Sequence, residues 1–429
     1  MLVRIPSGAS FCEADVPEKN LIGVFSPSLP PPAPDPLVET DRALDAPFGS
    51  PRLEELAARA KTATILCSDH TRPVPSRVLV PALLRRLRLG NPDIRVTLLV
   101  GTGCHRASTP DELKAKFGPD VVLRERIVMH DARDDAAMAD LGRLPGGGAL
   151  KVNRLAVETD LLLAEGFVEP HFFAGFSGGR KSVLPGVASR TTVLANHCGA
   201  FIADPRARLG VLEGNPVHRD MVAAARAARL AFVLNVAIDP RKRIVRAFAG
   251  GFEAAHAEAV AFLRRHVGVH VPEPADVCVT GNGGAPLDQN VYQCVKCMAA
   301  AEPVTREGGC IVVCAECADG HGGESFFRML RDIDPAEMLA RFAAVPADET
   351  EPDQWQAQIL ARIALSRSVV FVSPEKNHEM LRAMRFRAAA TLDEGLTLAR
   401  SLCGRGAAAR VAVLPDGVSV SPETFHPIV

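Results

Sequence analysis

Two histidines and one lysine, His171, Lys181 and His197, stand close together in the segment from residue 165 to residue 198. The apolar residues 160–164 precede this segment and predict a buried strand that runs into a loop. Loops held by a rigid scaffold carry binding and catalytic side chains more often than the scaffold itself does. This segment is therefore the first candidate for a chemical site.

The glycine-rich sequence GFSGGRKS, at positions 175–182, invites comparison with the loop that binds nucleoside triphosphates. That motif requires a glycine directly before its lysine, whereas Arg180 stands there in this chain, so we reject a triphosphate loop. An anion cradle remains open, because glycines let backbone amides approach a phosphate. The residues of such a cradle are Ser177, Gly178, Gly179 and Arg180.

Lys181 has other interpretations. As the Schiff-base lysine of a pyridoxal phosphate enzyme it would need an Asp or Arg beside the ring nitrogen, and usually an aromatic residue to stack on the ring. Nothing in the segment identifies either partner. Taken without its neighbours, Lys181 would be interpreted as an exposed loop lysine.

Three polar loops of the first half of the chain each follow an apolar run that predicts a strand. They are SDHTRP at 68–73, GTGCH at 101–105 and EPHFFAGFSGGRK at 169–181. Ligands of open α/β sheets bind at the carboxyl ends of the strands, so these loops are expected to meet at one sheet edge. A single histidine is more often a surface residue than a catalytic one, but three such loops together favour a site.

Composition excludes several classes of protein. The 429 residues exceed the usual limit of a single core, so two domains are expected. A formal net charge of -1 argues against a general nucleic-acid-binding protein. No apolar run reaches the length of a membrane span, and the N-terminus lacks the apolar core of a signal peptide. The chain is expected to be cytoplasmic.

The eleven cysteines are spread through the chain without a dense framework, which is typical of reduced, mostly buried thiols. Four of them, Cys294, Cys297, Cys314 and Cys317, have a spacing that formally fits a zinc site. The context disfavours zinc, because Cys314 ends a predicted strand and the first pair lies at a predicted helix start.

Alternating predicted strands and helices indicate an α/β fold of two domains with mainly parallel sheets. The N-terminal domain is predicted to span residues 1–270, with the tail at about 400–429 packing back on it. The C-terminal domain is predicted to span residues 275–395, and the active site is expected in the cleft between the two domains.

Long motifs in both halves of the chain resemble the lactate racemase family, the nickel-pincer-dependent 2-hydroxyacid racemases and epimerases. The matching segments are SDHTRPVPS (68–76), GTGCHR (101–106), EPHFFAGFSGGRKSVLPG (169–186), ANH (195–197), GNGGAPLDQNVYQCVKCM (281–298), CADGHG (317–322) and PDQWQAQIL (352–360). The resemblance spans nearly the whole chain.

The resemblance implies a nickel-pincer nucleotide, Ni(II)-pyridinium-3,5-bisthiocarboxylic acid mononucleotide, in which nickel is bonded to a ring carbon and two sulfurs. It implies that Lys181 carries this cofactor covalently as a thioamide and that His197 is the protein's nickel ligand. The segment that holds the nucleotide matches Asp69, His70, Thr71 and Arg72. Ser177, Gly178 and Gly179 would form the cradle that lets the mononucleotide lie close to the chain.

The resemblance also implies the residues that act on substrate. His105 and His171 match the paired acid/base histidines, and Gln293 and Lys296 match residues that hold the substrate. Tyr292 and Trp355 would line the pocket. The N-terminal domain would then bind the cofactor, and the C-terminal domain would close over the substrate.

These residue types suit the reaction. Removing the C2 hydrogen of a 2-hydroxy acid as a proton would leave a carbanion beside a carboxylate, whereas removing it as hydride gives a planar 2-keto acid. A histidine accepts the hydroxyl proton, and imidazole's pKa near 6.5 suits both directions of transfer. Lys296 can neutralise the substrate carboxylate and Arg72 the nucleotide phosphate. Neutral imidazole also suits His197 as a nickel ligand.

Several functions remain open at this stage. Lactate is the default substrate, while malate, a longer aliphatic or aromatic 2-hydroxy acid and a sugar acid are alternatives. Tyr292 and Trp355 favour a small substrate. A non-catalytic carrier of the pincer nucleotide is a further alternative, although a carrier needs no histidine pair. The expected partners are a small 2-hydroxy acid and the enzymes that synthesise the cofactor.

Overall fold

The computed structural model describes residues 1–423, in which strands and helices alternate. The strands, in chain order, are β1 (Leu2–Ser7), β2 (Ser10–Asp15), β3 (Leu21–Val24), β4 (Thr62–Ser68), β5 (Arg95–Gly101), β6 (Arg126–Met129), β7 (Met138–Arg143), β8 (Ala149–Asn153), β9 (Leu161–Phe167), β10 (Pro170–His171), β11 (Gly175–Phe176), β12 (Leu230–Ile238), β13 (Ile244–Gly250), β14 (Gly268–His270), β15 (Ala275–Gly281), β16 (Thr305–Cys314), β17 (Ser368–Val372), β18 (Arg387–Ala389), β19 (Val411–Leu414) and β20 (Ser421–Glu423).

The α-helices are α1 (Pro36–Asp45), α2 (Leu53–Ala57), α3 (Ser76–Gly90), α4 (Pro110–Phe117), α5 (Pro119–Arg124), α6 (Arg154–Val157), α7 (Arg190–Asn196), α8 (Gly199–Ala203), α9 (Pro216–Ala227), α10 (Phe252–Val267), α11 (Val291–Ala301), α12 (Glu324–Asp332), α13 (Pro335–Ala344), α14 (Gln354–Ser366), α15 (His378–Ala383) and α16 (Leu392–Leu402). Short 3-10 helices lie at Glu18–Asn20, Asp135–Ala137, Gly179–Ser182, Ala347–Glu349, Glu375–Asn377 and Gly406–Ala408.

The first sheet has six strands in the order β13-β12-β9-β4-β5-β6, parallel except for the antiparallel pair β12 and β13. Its central strands are near-continuous apolar runs, such as the fully buried Leu161–Phe167, because helices cover both faces of the sheet. The predicted strand at 161–163 is therefore confirmed and extends four residues further.

The order of this sheet reverses between β4 and β9. From β4 the chain steps to β5 and β6 on one side, and later returns to place β9 on the other side. Ligands in such sheets bind at this switch point, outside the carboxyl ends of the strands. The three polar loops follow β4, β5 and β9, which are neighbours, so the prediction that they meet at one sheet edge is confirmed.

The second sheet is wholly parallel, in the order β18-β17-β16-β15-β19-β3, and it reverses between β15 and β19. Its edge strand β3 comes from the start of the chain, although nothing in the pattern of Leu21–Val24 indicated this. Of the C-terminal segment, β19 joins the second sheet and β20 pairs with β14. The predicted domain limits at residues 270 and 275 stay a prediction.

Helices of the two sheets pack directly on one another. Gln358 of α14 donates from Nε2 to the carbonyl oxygen of Gly199 in α8 at 2.8 Å. A Cβ atom on Gly199 would overlap the backbone of Phe342 in α13, so glycine permits this close approach. This contact holds the helices that pack on the second sheet against the chain two residues after His197.

The α/β fold class predicted from the sequence is confirmed by these two sheets. Within residues 1–423, no helix combines the length and apolar character needed to cross a membrane.

Candidate active site

The loops after β4 and β5 are joined by a hydrogen bond between Asp69 and His105. Nδ1 of His105 lies 2.8 Å from Oδ2 of Asp69, whose other oxygen accepts from the backbone and hydroxyl of Thr71 at 3.0 and 2.6 Å. Although burial opposes it, hydrogen bonds from His105 and Thr71 lower the pKa of Asp69 to about 2. An ionised carboxylate only accepts, so Nδ1 of His105 carries a proton and Nε2 keeps its lone pair.

The loop after β9 brings His171 and Lys181 together around the ring of Phe173. Nε2 of His171 lies 3.5 Å from Nζ of Lys181, and Nδ1 accepts from the backbone N–H of Ala174 at 3.3 Å. Phe173 packs edge-on against His171 at 4.6 Å between ring centroids, and Nζ of Lys181 lies 5.9 Å from the Phe173 centroid. In a neutral His171 the ring proton is then on Nε2, facing the lysine.

His197 approaches the same aromatic ring from the end of α7. Its backbone N–H caps that helix by donating to Val193, and its ring meets Phe173 edge-on at 5.1 Å. The ring of Trp355, on α14 of the second unit, packs edge-on against it from the other side, also at 5.1 Å. The buried Nδ1 of His197 has no hydrogen-bond partner among residues 1–423. Such an atom is a candidate metal ligand.

Burial disfavours the charged forms of these three bases. It lowers the pKa of His197 to about 3, and positive charge on Lys181 acts in the same direction. It also lowers the pKa of His171 and of Lys181 well below their usual values, and neighbouring positive charges act in the same direction. At neutral pH the cluster therefore presents two neutral imidazoles beside an amine whose protonated form is disfavoured.

The second turn of α11 supplies a cation, Lys296, on the second sheet's side. Nζ of Lys296 donates to Oε1 of Gln293 at 2.6 Å, and Asn290 caps the helix by accepting from the Gln293 backbone. Burial, followed by the positive charge of Arg72, lowers the pKa of Lys296 to about 8. Glu169, whose own pKa is raised by burial, offsets part of this effect. Lys296 thus remains charged at neutral pH and can attract a carboxylate.

Tyr292 and Trp355 meet at Asp353, which precedes α14. The Tyr292 hydroxyl is hydrogen-bonded to Asp353 and to Trp355, and burial raises the pKa of both Tyr292 and Asp353. Asp353 has a backbone φ of 68°, a left-handed conformation that is unusual for a residue other than glycine. Strained residues of this kind cluster at binding sites, and here the strain places the carboxyl group beside the tyrosine.

The predicted nucleotide-holding segment divides into different environments. Asp69 accepts hydrogen bonds from Thr71 and His105, as described above. His70 turns away, with Nδ1 2.9 Å from the Ser108 hydroxyl and 3.6 Å from Glu112. Arg72 is exposed, yet its charge lowers the pKa of Lys181 and Lys296. The cofactor roles of these residues stay predictions.

The predicted glycine cradle already uses several of its polar groups within the protein. The Ser177 hydroxyl donates to the Phe167 carbonyl at 3.1 Å and accepts from the Glu169 backbone at 2.9 Å. The N–H of Gly179 donates to Asn235 at 3.2 Å. A Cβ on Gly178, whose φ is 79°, would clash with β12 and the end of β9, so packing alone explains that glycine. Cofactor contacts by the cradle stay a prediction.

Phe173, Glu169 and Asp353 belong to the site, but sequence reasoning did not single them out. Phe173 touches His171, Lys181 and His197, whereas aromatic residues in loops usually pack in a core and gave no separate signal. Glu169 and Asp353 stand inside the quoted motifs EPHFF and PDQW. Charged residues flanking histidine and tryptophan in those motifs were the signal that could have identified them.

The cysteines with zinc-like spacing do not converge. The Cys294 thiol is hydrogen-bonded to Cys297 and Cys317, whereas Cys314 is hydrogen-bonded to Cys12. In the described part of the chain, no group of three or more His, Cys, Asp or Glu side chains is arranged to hold a metal ion.

Comparisons with known proteins show what the chain as a whole is similar to. Two family models match the chain, the lactate racemase N-terminal domain over residues 8–210 and the lactate racemase C-terminal domain over residues 271–421. A curated lactate racemase from Thermoanaerobacterium thermosaccharolyticum is 48% identical over 422 residues, which cover 97% of this chain and 98% of that protein. Another, from Lactiplantibacillus plantarum, is 50% identical over 381 residues, which cover 89% of each.

Two solved structures have a similar fold. The lactate racemase apoprotein from Thermoanaerobacterium thermosaccharolyticum has a TM-score of 0.95 to this chain at 48% identity, covering 99% of this chain and 100% of that one. A Thermotoga maritima protein, 18% identical, has a TM-score of 0.64 and covers 88% and 100% of the two chains. The latter shares the fold.

Phe173 should be required for the stability of the cluster. Phe173→Ala removes a buried ring that contacts three site residues, and we expect a loss of about 3–5 kcal/mol in the free energy of unfolding. Phe173→Leu, which keeps most of the volume, should lose about 1.5 kcal/mol or less. Urea unfolding followed by the fluorescence of Trp355, the chain's single tryptophan, measures both.

Phe11→Ala is the matched control, because that ring is 51% exposed. It should change the free energy of unfolding by only about 0.5 kcal/mol. Equal losses in Phe173→Ala and the control would contradict a central packing role for Phe173.

Proposed function

Because the chain belongs to the lactate racemase family, we propose that it racemises lactate with a nickel-pincer nucleotide held by Lys181 and His197. The family assignment makes the chain an enzyme, a racemase of the isomerase class. The observation that carries the finer proposal is the convergence of the Lys181 amine and two imidazoles on Phe173, with the charged Lys296 on the second sheet's side.

The residues present fit this cofactor at its two proposed attachments. His197 offers a buried Nδ1 that no residue in the 1–423 range occupies, and its low pKa keeps the lone pair free for nickel. Lys181 offers an amine whose protonated form is disfavoured by burial and which could form a thioamide. Held by Lys181 and His197, the cofactor would supply a reversible hydride acceptor for C2 of the substrate.

The chain's own part in the reaction is to move the hydroxyl proton. Asp69 holds the Nδ1 proton of His105, so Nε2 can accept a proton from the substrate hydroxyl. His171 rests as the opposite tautomer, with its proton on Nε2. With Lys181 joined to the cofactor, His171 would serve as the second general acid/base for the substrate hydroxyl. The two histidines can then exchange roles between enantiomers.

Substrate would be held from the second sheet. Lys296 and Gln293 lie side by side on α11, so one carboxylate can take a charge-assisted hydrogen bond from the amine and a second from the amide. Tyr292 and Trp355 close the adjacent space, and Trp355 also packs on His197. This enclosure favours the methyl group of lactate over the larger side chains of aromatic or sugar acids. The ordered Asp69–His105 pair favours an enzyme over a carrier.

A chiral assay tests the proposed reaction. Protein produced together with the cofactor-synthesis enzymes should convert either pure enantiomer of lactate to a mixture of both, as chiral chromatography would report. His105→Gln and His171→Gln should each lower kcat by about 100-fold or more, because each removes one general acid/base. Asp111→Asn, on an exposed surface, is the control.

The same protein should be tested on malate, 2-hydroxybutyrate and phenyllactate. If one of these acids is turned over faster than lactate, that acid and not lactate is the preferred substrate. A Lys181 adduct with no turnover of any of the acids would contradict racemisation and favour the carrier.

Lys296 should set the alkaline limit of kcat/KM. Its pKa of about 8 in the free protein means that it is charged below that pH and loses its proton above it. Substrate binding should therefore weaken as pH rises through about 8, chiefly as a rise in KM. Lys296→Arg should remove this limb because guanidinium stays charged, and Lys296→Met should give a low, flat profile. If Lys296→Met keeps the alkaline limb of kcat/KM, that limb belongs to another group.

A further inference from the structure

Glu165 is a buried carboxylate near the carboxyl end of β9, and no step of the proposed reaction uses it. The residue is 2% exposed. Its Oε1 accepts from the backbone N–H of Ser68 at 3.0 Å and from the Ser68 hydroxyl at 3.4 Å. Its Oε2 accepts from the hydroxyl of Ser76 at 3.1 Å. One carboxylate group therefore holds both the last residue of β4 and the first residue of α3.

A carboxylate at this position needs a reason, because the rest of β9 is apolar or glycine. An apolar side chain could fill the same volume without the cost of removing a charge from water. Among residues 1–423, the side-chain hydrogen bonds of Glu165 go to Ser68 and Ser76 alone. Its polar contacts therefore serve the segment between these two serines, residues 68–76.

The same segment is also held at its middle. Nζ of Lys116, in α4, donates to the backbone carbonyl of Arg72 at 3.2 Å. Asp69 and Thr71 lie between this contact and the one at Ser68. The segment is thus fixed at its start, middle and end, and the residue next to its first fixed point is Asp69.

The position of Asp69 decides which nitrogen of His105 carries the ring proton. Its Oδ2 lies 2.8 Å from Nδ1 of His105, and such a hydrogen bond is lost beyond about 3.5 Å. A displacement of the segment by about 1 Å would therefore release the ring. A histidine free in water favours the tautomer with its proton on Nε2, which is the atom that should accept a proton from the substrate.

We propose that Glu165 is a positioning residue that fixes both ends of the segment 68–76 and thereby keeps Asp69 on Nδ1 of His105. The proposal rests on the proposed function for the role of His105 as a general base. Glu165 acts through Ser68 and Ser76, and the hydrogen bond from His105 to Asp69 transmits the effect to the site.

Stabilisation of the fold alone is the competing explanation, because a satisfied buried polar network adds to rigidity wherever it lies. Both explanations predict that loss of Glu165 lowers the melting temperature. They differ in the tautomer of His105, which a purely stabilising role leaves unchanged in the folded protein.

NMR of full-length protein labelled with nitrogen-15 histidine, made without the cofactor-synthesis enzymes, measures this tautomer. Protonated and unprotonated ring nitrogens have well separated chemical shifts, and His105→Gln assigns the signals. Spectra are recorded at about pH 9, well above the ordinary imidazole pKa of about 6.5. In the unmodified chain, about nine-tenths or more of His105 should carry its proton on Nδ1, because the acceptor is a carboxylate.

Glu165→Leu should lower the Nδ1–H share of His105 below about one half, since both links are lost. Glu165→Gln should keep the share, because its amide oxygen can accept from Ser68 and its amide N–H can donate to the Ser76 hydroxyl. A folded Glu165→Leu protein with the share of the unmodified chain would overturn the proposal. Equal losses in the two variants would overturn it too, since they would trace the effect to charge and not to the two links.

Ser76→Ala is a milder variant that decides the question if Glu165→Leu does not fold. It removes only the link to α3 and should raise the Nε2–H share of His105 by about 2-fold or more. Thr64→Val, on β4, is the matched control. Thr64 is 3% exposed, and its hydroxyl donates to the Leu155 carbonyl at 2.8 Å, outside the segment.

Thr64→Val should lower the melting temperature much as Ser76→Ala does, since each loses one buried hydroxyl, but should leave the His105 tautomer unchanged. An unchanged tautomer in Ser76→Ala would overturn the proposal, as would equal tautomer shifts in Ser76→Ala and the control.

Activity of the loaded enzyme gives a second measurement. Glu165→Leu should lower kcat by about 10-fold or more with little change in KM, because it displaces a general base and not the lysine that holds the substrate. The tautomer measurement needs no cofactor. A shifted tautomer in Glu165→Leu, with no racemase activity in the loaded unmodified chain, would therefore contradict the proposed function alone.

Discussion

The candidate site depends on the removal of water from basic nitrogen atoms. His171, Lys181 and His197 share the space around Phe173, where burial disfavours their charged forms. In water the lysine amine would be protonated and the imidazoles partly protonated, and a protonated nitrogen can neither bind a metal nor form a covalent bond. Burial therefore favours the neutral forms of all three groups, and the apolar ring of Phe173 at their centre helps to exclude water from them.

Sheet topology explains how these groups come together. Each of the two sheets reverses its order once, and the site residues follow the strands on either side of those reversals. In the first sheet they follow β4, β5 and β9, and in the second sheet Gln293 and Lys296 follow β15. The contact between α14 and the residues just after His197 then joins the two sheet edges. The bases thus come from one sheet and the cation Lys296 from the other.

Much of this arrangement could be predicted from the sequence, because it depends on local patterns. Apolar runs located the central strands, and polar residues directly after them identified the loops that meet at the sheet edge. Features that depend on distant partners could not be predicted. The edge strand Leu21–Val24 pairs with β19, almost four hundred residues along the chain, and short strands of that kind carry no information about their neighbours. The burial of Arg180 could not be predicted either, since the sequence GFSGGRKS is equally compatible with an exposed anion-binding loop.

The most direct test of this account is the protonation of His171 and His197 in the full-length protein without cofactor. Their ring nitrogens can be followed by NMR of protein labelled with nitrogen-15 histidine, with His171→Gln and His197→Gln used to assign the signals. The account predicts that neither ring takes up a proton as the pH falls through the ordinary histidine value of about 6.5. A titration of either ring with a midpoint near its ordinary pKa of about 6.5 would contradict it.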